Sequence, residues 1–302
     1  MMNAKFKAYT AALIYTLIIG LSFMFVKIAL RTAAPVDILA DRFSIAFLTG
    51  SLIFLFSRKK IHIGVKDFFS ILPLSLLYPV LFFFFQAFGL AYATSAEAGI
   101  IQACVPILTL LLAIIFLKEY SSMRENLFTL LSVSGVIYIF IMSGNREQNG
   151  NTLGIILIFL STLAAAAYNV LAKNLIKKYS ATVLTYFMTA FGMVIFNCAA
   201  LIQHTLNNTP VSYFSPFRDK YFFFAILYLG ILSSFTSAFL SNYALGKIDA
   251  SKMSLFANLG TLITIAAGVV FLQEPFHYYQ VIGSFPILIG VAGANYFASK
   301  KK

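Results

Sequence analysis

The residues of this chain with a capacity for chemistry are polar side chains set inside long apolar runs. Gln86 and Gln102 stand sixteen positions apart, and so do Asn242 and Asn258. Ser22, Tyr78 and Tyr168 interrupt other runs, as do Asn169, Ser237 and Tyr243. In hydrocarbon a polar group is costly and turns toward a bundle interior or a water-filled cavity. There an amide or hydroxyl can hydrogen-bond a solute. It can equally join two helices, at about 0.6–2 kcal/mol per bond. Both readings stand for these residues.

The charged candidates divide in the same way. Lys27 lies about one turn from the end of the first apolar run. It either snorkels to the interface or points inward and binds a carboxylate or phosphate. Lys173 faces the same choice at the end of the sixth run. Glu119 and Glu274 each follow Phe-Leu-X at the end of an apolar run. A carboxylate there opposes the helix dipole, so a gate or structural role, paired with a cation or backbone amides, fits better than substrate binding. Glu97 opens a run, where the dipole suits it, and reads as a cap. Pro106 removes a helical hydrogen bond and permits a kink, again a gate or structural role. Pro73, Pro79 and Pro286 also fall inside runs.

These residues need elements to hold them, and the composition says which. Of 302 residues 60% are hydrophobic and only 11% charged, against roughly 25% charged in soluble domains. Mean hydropathy is +0.88. A bilayer span takes about 20 mostly apolar residues. Ten such runs are legible, at 8–30, 36–57, 68–92, 97–117, 123–143, 152–173, 180–203, 221–245, 252–272 and 277–299. The expected fold is an all-α integral membrane protein. The N-terminal run lacks a small-residue cleavage site and reads as a retained span. Cys104 and Cys198 lie inside runs and read as small buried hydrophobes, not as a disulfide. The Phe82–Phe85 aromatics cover every face of a helix, so some of them meet lipid.

The net charge of +12 would suggest nucleic acid in a soluble protein. Here the cations lie between apolar runs, and a membrane reading replaces it. With ten spans, one side carries fifteen Lys and Arg and the other five, counting Arg31, Arg42, Arg146, Arg218 and Lys220 on the poorer side. That bias places both termini in the cytoplasm.

The stretch 84–143 recurs faintly 155 positions later. Phe116-Leu117 and Glu119 meet Phe271-Leu272 and Glu274, and Gly135-Val136 meets Gly290-Val291. The polar segment 144–151 separates the copies, giving units 1–143 and 152–302. Five spans per unit is an odd number, so the second unit enters the membrane inverted. Inverted repeats characterise secondary transporters, with the substrate cavity near the midplane between them.

With these residues in place the chain resembles the drug/metabolite transporter superfamily, specifically its ten-helix EamA-type members. The resemblance rests on Gly20, Phe23 and Lys27, on Thr94-Ser95-Ala96, and on Pro106, Glu119 and Gly135. The second copy keeps Lys173, Ala250-Ser251, Glu274 and Gly290, but has Thr261 opposite Pro106. The resemblance implies carriage of small metabolites, often export of amino acids or related compounds.

The residues themselves leave other classes open. No His-Glu-x-x-His helix is present, and His62, His204 and His277 are scattered. Asp41, Asp67, Asp219 and Asp249 lie at or near span ends, which disfavours a paired-aspartate intramembrane protease. A Ser–His dyad stays open, as does a channel or scaffold. No metal or cofactor is expected. The expected partners are a small-molecule substrate and the lipid bilayer, with no nucleic acid; a homodimer is allowed. No carboxylate lies near the middle of a span, which points to uniport or exchange. Amides, Tyr and Phe with at most one lysine suit a zwitterionic or aromatic solute; an aromatic cage for a quaternary amine is the alternative. Nucleotide sugars or phosphates would want more cations.

Overall fold

The computed structural model describes residues 4–57, 64–118, 122–144, 152–206, 215–273 and 278–299. Among them the regular structure is helical throughout. The helices are α1 (Ala4–Ala29), α2 (Pro35–Ser57), α3 (Val65–Ser75), α4 (Phe82–Tyr92), α5 (Ser95–Gln102), α6 (Val105–Leu117) and α7 (Met123–Gly144). They continue with α8 (Thr152–Leu175), α9 (Ala181–Leu206), α10 (Lys220–Leu227), α11 (Ser237–Leu245), α12 (Ala250–Leu272) and α13 (Tyr278–Ser299). A π-helical stretch, Leu76–Leu81, joins α3 to α4, and another, Tyr228–Thr236, joins α10 to α11. Seven helical runs among the described residues are long and apolar enough to cross a bilayer, and Val105–Leu117 and Val281–Ala294 are shorter apolar segments.

Local chemistry explains the boundaries. Pro35 opens α2, where its missing N–H costs nothing. Asp219 caps α10 by accepting from the Tyr221 N–H at 2.9 Å. Thr94 and Glu97 form a reciprocal capping box: the Thr94 N–H donates to Glu97 Oε2 at 2.8 Å, and the Glu97 N–H to Thr94 Oγ1 at 3.1 Å. Ser122 and Glu125 repeat it at the start of α7. Glu97 is thus a cap, as its position implied.

Two internal breaks matter for the site. Tyr78 has φ −140° and ψ 117°, outside the helical region, and interrupts the α3–α4 run. The fourth apolar run is divided between Gln102 and Val105, with Pro106 in the first turn of α6. Proline has no N–H for the Gln102 carbonyl and its ring would crowd that carbonyl. The counterpart α12, with Thr261 in place of the proline, runs unbroken from Ala250 to Leu272.

The Phe-Leu-X-Glu motif has a structural meaning at X. Lys118 (φ 52°) and Gln273 (φ 58°), 155 residues apart, both end their helices in the left-handed conformation. Each N–H closes back on the helix, to Ala113 and Gly268 respectively. Glu119 and Glu274 lie outside the described residues.

Packing follows a reciprocal plan: α2 lies on α9 and α7 on α13, α1 contacts α11 and α12, and α8 contacts α4, α5 and α6. In lipid the hydrophobic effect gives little drive for helix association, so close approach does the work. Glycine supplies it. A Cβ on Gly135 would sit 2.5 Å from the Gly283 carbonyl oxygen, and one on Gly290 2.5 Å from the Ser132 nitrogen. Large apolar side chains face outward, including Phe56 at 81% exposure and Val270 at 68%; a bilayer covers such a surface. Cys198, expected to be buried, is one of these outward residues, because it falls on the lipid face of α9.

Candidate functional site

A central chamber lies where α1, the α3–α4 break, α5, α8, α11 and α12 meet. Its volume is about 50 Å³, room for a few waters. Tyr78, Gln102, Tyr168 and Asn169 reach it, together with Tyr15, Thr16, Ser241, Ser254, Thr261 and Thr264. Phe23, Phe82 and Phe256 supply apolar wall. Every lining residue is uncharged.

The tyrosines are held from behind. Tyr168 donates its hydroxyl to Asn242 Oδ1, and Asn242 Nδ2 donates to Thr185 Oγ1 at 3.0 Å. Asn242 is fully buried and links α11, α8 and α9 without lining the chamber itself. The Tyr168 ring lies 4.7 Å from the Tyr78 ring, which in turn is 4.9 Å from Phe82. Gln102 Nε2 donates to Ser161 Oγ at 3.3 Å, and Ser161 donates to the Phe82 carbonyl at 3.0 Å. On the opposite wall Thr264 Oγ1 donates to the Gly20 carbonyl at 2.9 Å and Thr261 Oγ1 to Gly99 at 2.8 Å. These two bonds tie α12 to α1 and α5. Tyr15, Asn169 and Ser241 make no hydrogen bond with another described residue, so their polar groups are available to a solute in the chamber.

The other sequence candidates sit elsewhere. Gln86 is buried in α4 away from the chamber. Asn258 donates to Ser132 on α7, on the far side of α12. Ser22 donates back to Ile19 at 2.7 Å, and Ser237 to Ser233. Tyr243 stacks on Phe239 with centroids 6.4 Å apart. Pro106 lines a small gap with Glu125 and Lys252. Lys173 does not run out to lipid: its Nζ donates at 2.8 Å to the carbonyl of Leu245, the last residue of α11, and to that of Ile248 in the turn that follows. Lys27 borders a separate cleft.

One buried cation was misjudged in the sequence. Arg42 lies about one turn inside the second run and is tallied with the charges of the poorer side, yet it is fully buried in the second turn of α2. Its Nε donates to Ser234 Oγ at 2.9 Å and its Nη2 to Ser233 Oγ at 3.0 Å. The guanidinium carbon lies 4.1 Å from the Phe83 ring centroid. The signal was the Ser233-Ser234 pair in the middle of another apolar run, a fork-sized set of acceptors. Near the same helix end His204 Nε2 lies 2.9 Å from Asp37 Oδ1. Among the described residues no cluster of His, Cys, Asp or Glu has the grouping to hold a metal ion.

The family model for the EamA-like transporter family matches residues 6–141 and 152–296. The chain belongs to the EamA-like transporter family. It is 50% identical over 294 residues to uncharacterized transporter YcxC of Bacillus subtilis (strain 168), covering 97% of this chain and 94% of that one. It is 28% identical over 272 residues to an uncharacterized transporter of Archaeoglobus fulgidus, covering 90% and 92% of the two chains. A solved protein structure superposes with a TM-score of 0.73 at 17% identity over 97% of this chain and 98% of that one, which shows a shared fold. This member of the family is a multi-pass membrane transporter of the drug/metabolite type.

Proposed function

We propose that this protein is a secondary carrier that moves a small metabolite across the cytoplasmic membrane by alternating access, with export of an amino acid or related metabolite as its activity. The observation that carries the reading is the chamber. It is enclosed by helices from both matched segments and lined by uncharged hydroxyls, amides and aromatic rings. An uncharged lining disfavours nucleotide sugars and phosphates and suits a zwitterion, whose two charges can be met by neutral dipoles. Tyr15, Tyr78 and Tyr168 in the wall favour, as the second reading, a quaternary amine held by aromatic faces.

The carrier works through two five-helix units, 1–143 and 152–302, joined by 144–151 and inserted in opposite senses, with ten crossings and both termini cytoplasmic. Features spaced by 155 residues support this. They are the left-handed caps at Lys118 and Gln273, the paired Gly135 and Gly290, and Ser132 against the Ile287 carbonyl at 3.5 Å. In the observed state the chamber is too small for a metabolite, so loading requires one wall to move. The walls are α12 on α1 and α8 on α5 and α6.

The test is a thermal-shift screen of zwitterionic metabolites and quaternary amines on purified protein, followed by flux of the hit in proteoliposomes. Saturable flux that accelerates with substrate on the opposite side is expected. Non-saturable flux with ionic current would show a channel instead.

A further inference from the structure

The hydrogen-bonding sense of the chamber follows from where its wall spends its protons. A hydroxyl has one hydrogen to give and two lone pairs to offer. Thr264 Oγ1 gives its hydrogen to the Gly20 and Gly260 carbonyls, at 2.9 and 3.0 Å. Thr261 gives its own to the Gly99 carbonyl at 2.8 Å. Thr16 donates to the carbonyls of Ala12, at 2.9 Å, and Phe256, at 3.3 Å. Tyr168 donates to Asn242 Oδ1. All four residues line the chamber, and all four direct their one proton into the protein. What their oxygens still offer a solute is lone pairs.

Gln102 follows the same rule at one remove. Ser161 spends its proton on the Phe82 carbonyl at 3.0 Å, so toward the amide its oxygen can only accept. It accepts from Gln102 Nε2 at 3.3 Å. That chain fixes which way round the amide lies. It leaves Oε1 and one N–H of Gln102 unengaged among the described residues. Tyr78 bonds to Ser237, whose own proton goes to the Ser233 carbonyl. Three wall residues remain able to donate freely: Tyr15 on α1, Asn169 on α8 and Ser241 on α11.

An acceptor-rich wall with aromatic rings suits a cation. The ring faces serve any cation, but lone pairs serve only one that carries hydrogens. We infer that the chamber selects its solute by a primary ammonium group, whose N–H bonds are accepted by Gln102 Oε1 and by the hydroxyl oxygens of Tyr168 and the three threonines. The carboxylate of a zwitterion is left to Tyr15, Asn169 and Ser241. Methylating the nitrogen fully keeps the charge and the ring contacts and removes every donor. The inference deepens the carrier reading, rests on it for the solute being cargo, and takes the primary ammonium over the quaternary amine.

The test is thermal-shift titration of the purified protein with four probes built on one phenylethyl frame. They are phenylalanine, phenethylammonium, its N,N,N-trimethyl derivative and 3-phenylpropionate. Phenethylammonium is phenylalanine without the carboxylate, and 3-phenylpropionate is phenylalanine without the ammonium. Phenethylammonium is expected to bind at least about tenfold more tightly than the trimethyl compound, the worth of one hydrogen bond to a charged group. Removing the ammonium from phenylalanine is expected to cost more affinity than removing the carboxylate. Gln102→Leu should weaken phenethylammonium by about tenfold and leave the trimethyl compound unchanged. A trimethyl compound that binds as tightly, a 3-phenylpropionate that binds more tightly than phenethylammonium, or no shift with phenethylammonium overturns the inference. So does a head-group preference that Gln102→Leu leaves unaltered. Should that variant fail to fold, the four probes on the parent protein still decide. Failure here leaves saturable flux of another solute intact, whereas a channel would fail the flux assay and keep the head-group preference, so the two readings fall separately.

Discussion

Gly20 and Gly260 offer a matched pair of substitutions across one helix seam. Both line the chamber where α1 meets α12. A Cβ on Gly20 would lie 2.7 Å from both Ile263 Cβ and Cγ2 and 3.0 Å from the Gly260 carbonyl oxygen. Ile263 Cβ is fixed to its backbone, so no rotamer change relieves the overlap. Restoring a normal carbon–carbon contact of about 3.5–4.0 Å means parting α1 and α12 by roughly 1 Å. A Cβ on Gly260 meets only Thr16 Cγ2 at 3.9 Å, an ordinary contact. Both glycines are mid-helix, so alanine gains about 1 kcal/mol of helix propensity at each. That gain cancels in the comparison. What remains is the overpacking cost at Gly20, about 1–3 kcal/mol. Thermal and denaturant unfolding of the detergent-solubilised protein should rank Gly260→Ala above the parent and Gly20→Ala below Gly260→Ala by that margin. Equal stability of the two variants, or the reverse order, would refute the packing of this seam.

Asn242→Ala should cost about 1–3 kcal/mol, because Tyr168 and Thr185 both lose a buried partner; unfolding measures the cost, and a loosened Tyr168 should also weaken binding of the screened solute. Arg42→Lys should destabilise by about 1.5–3 kcal/mol, since an ammonium cannot reproduce the fork to Ser233 and Ser234. Arg42→Met, which removes the buried charge altogether, should be tolerated better, and denaturant titration of both variants reads the order. Lys173→Met strands the Leu245 and Ile248 carbonyls and should lower stability by about 1–3 kcal/mol, without touching the chamber.

Much of the fold was legible because the bilayer imposes it. Apolar runs of span length, interrupted by short polar segments, leave helices as the only economical structure. The repeat also marked Gly290, which sits against α7, where a Cβ would overlap Ser132. The site was legible only in part. Polarity inside an apolar run says that a side chain seeks a partner, not which partner. Gln102 and Asn258 look alike in sequence, yet one reaches the chamber and the other reaches Ser132. The difference is set by helix rotation, and around Gln102 by the break at 103–104, which a periodicity count does not give. Thr16 was overlooked for another reason. Its hydroxyl donates to Ala12 four residues back at 2.9 Å, so it reads as an ordinary helical threonine, although it also borders the chamber. The burial of Arg42 was not legible because its acceptors lie 191 and 192 residues away.

The central claim is that the chamber opens to each side of the membrane in turn. Asn169, which lines it, is the position to use. With Asn169→Cys in the Cys104→Ser, Cys198→Ser background, a membrane-impermeant thiol reagent is applied to right-side-out and to inside-out vesicles. Alternating access predicts modification from both sides with no accompanying ionic leak. Modification from one side only, or a leak of small ions through the unmodified protein, would contradict it.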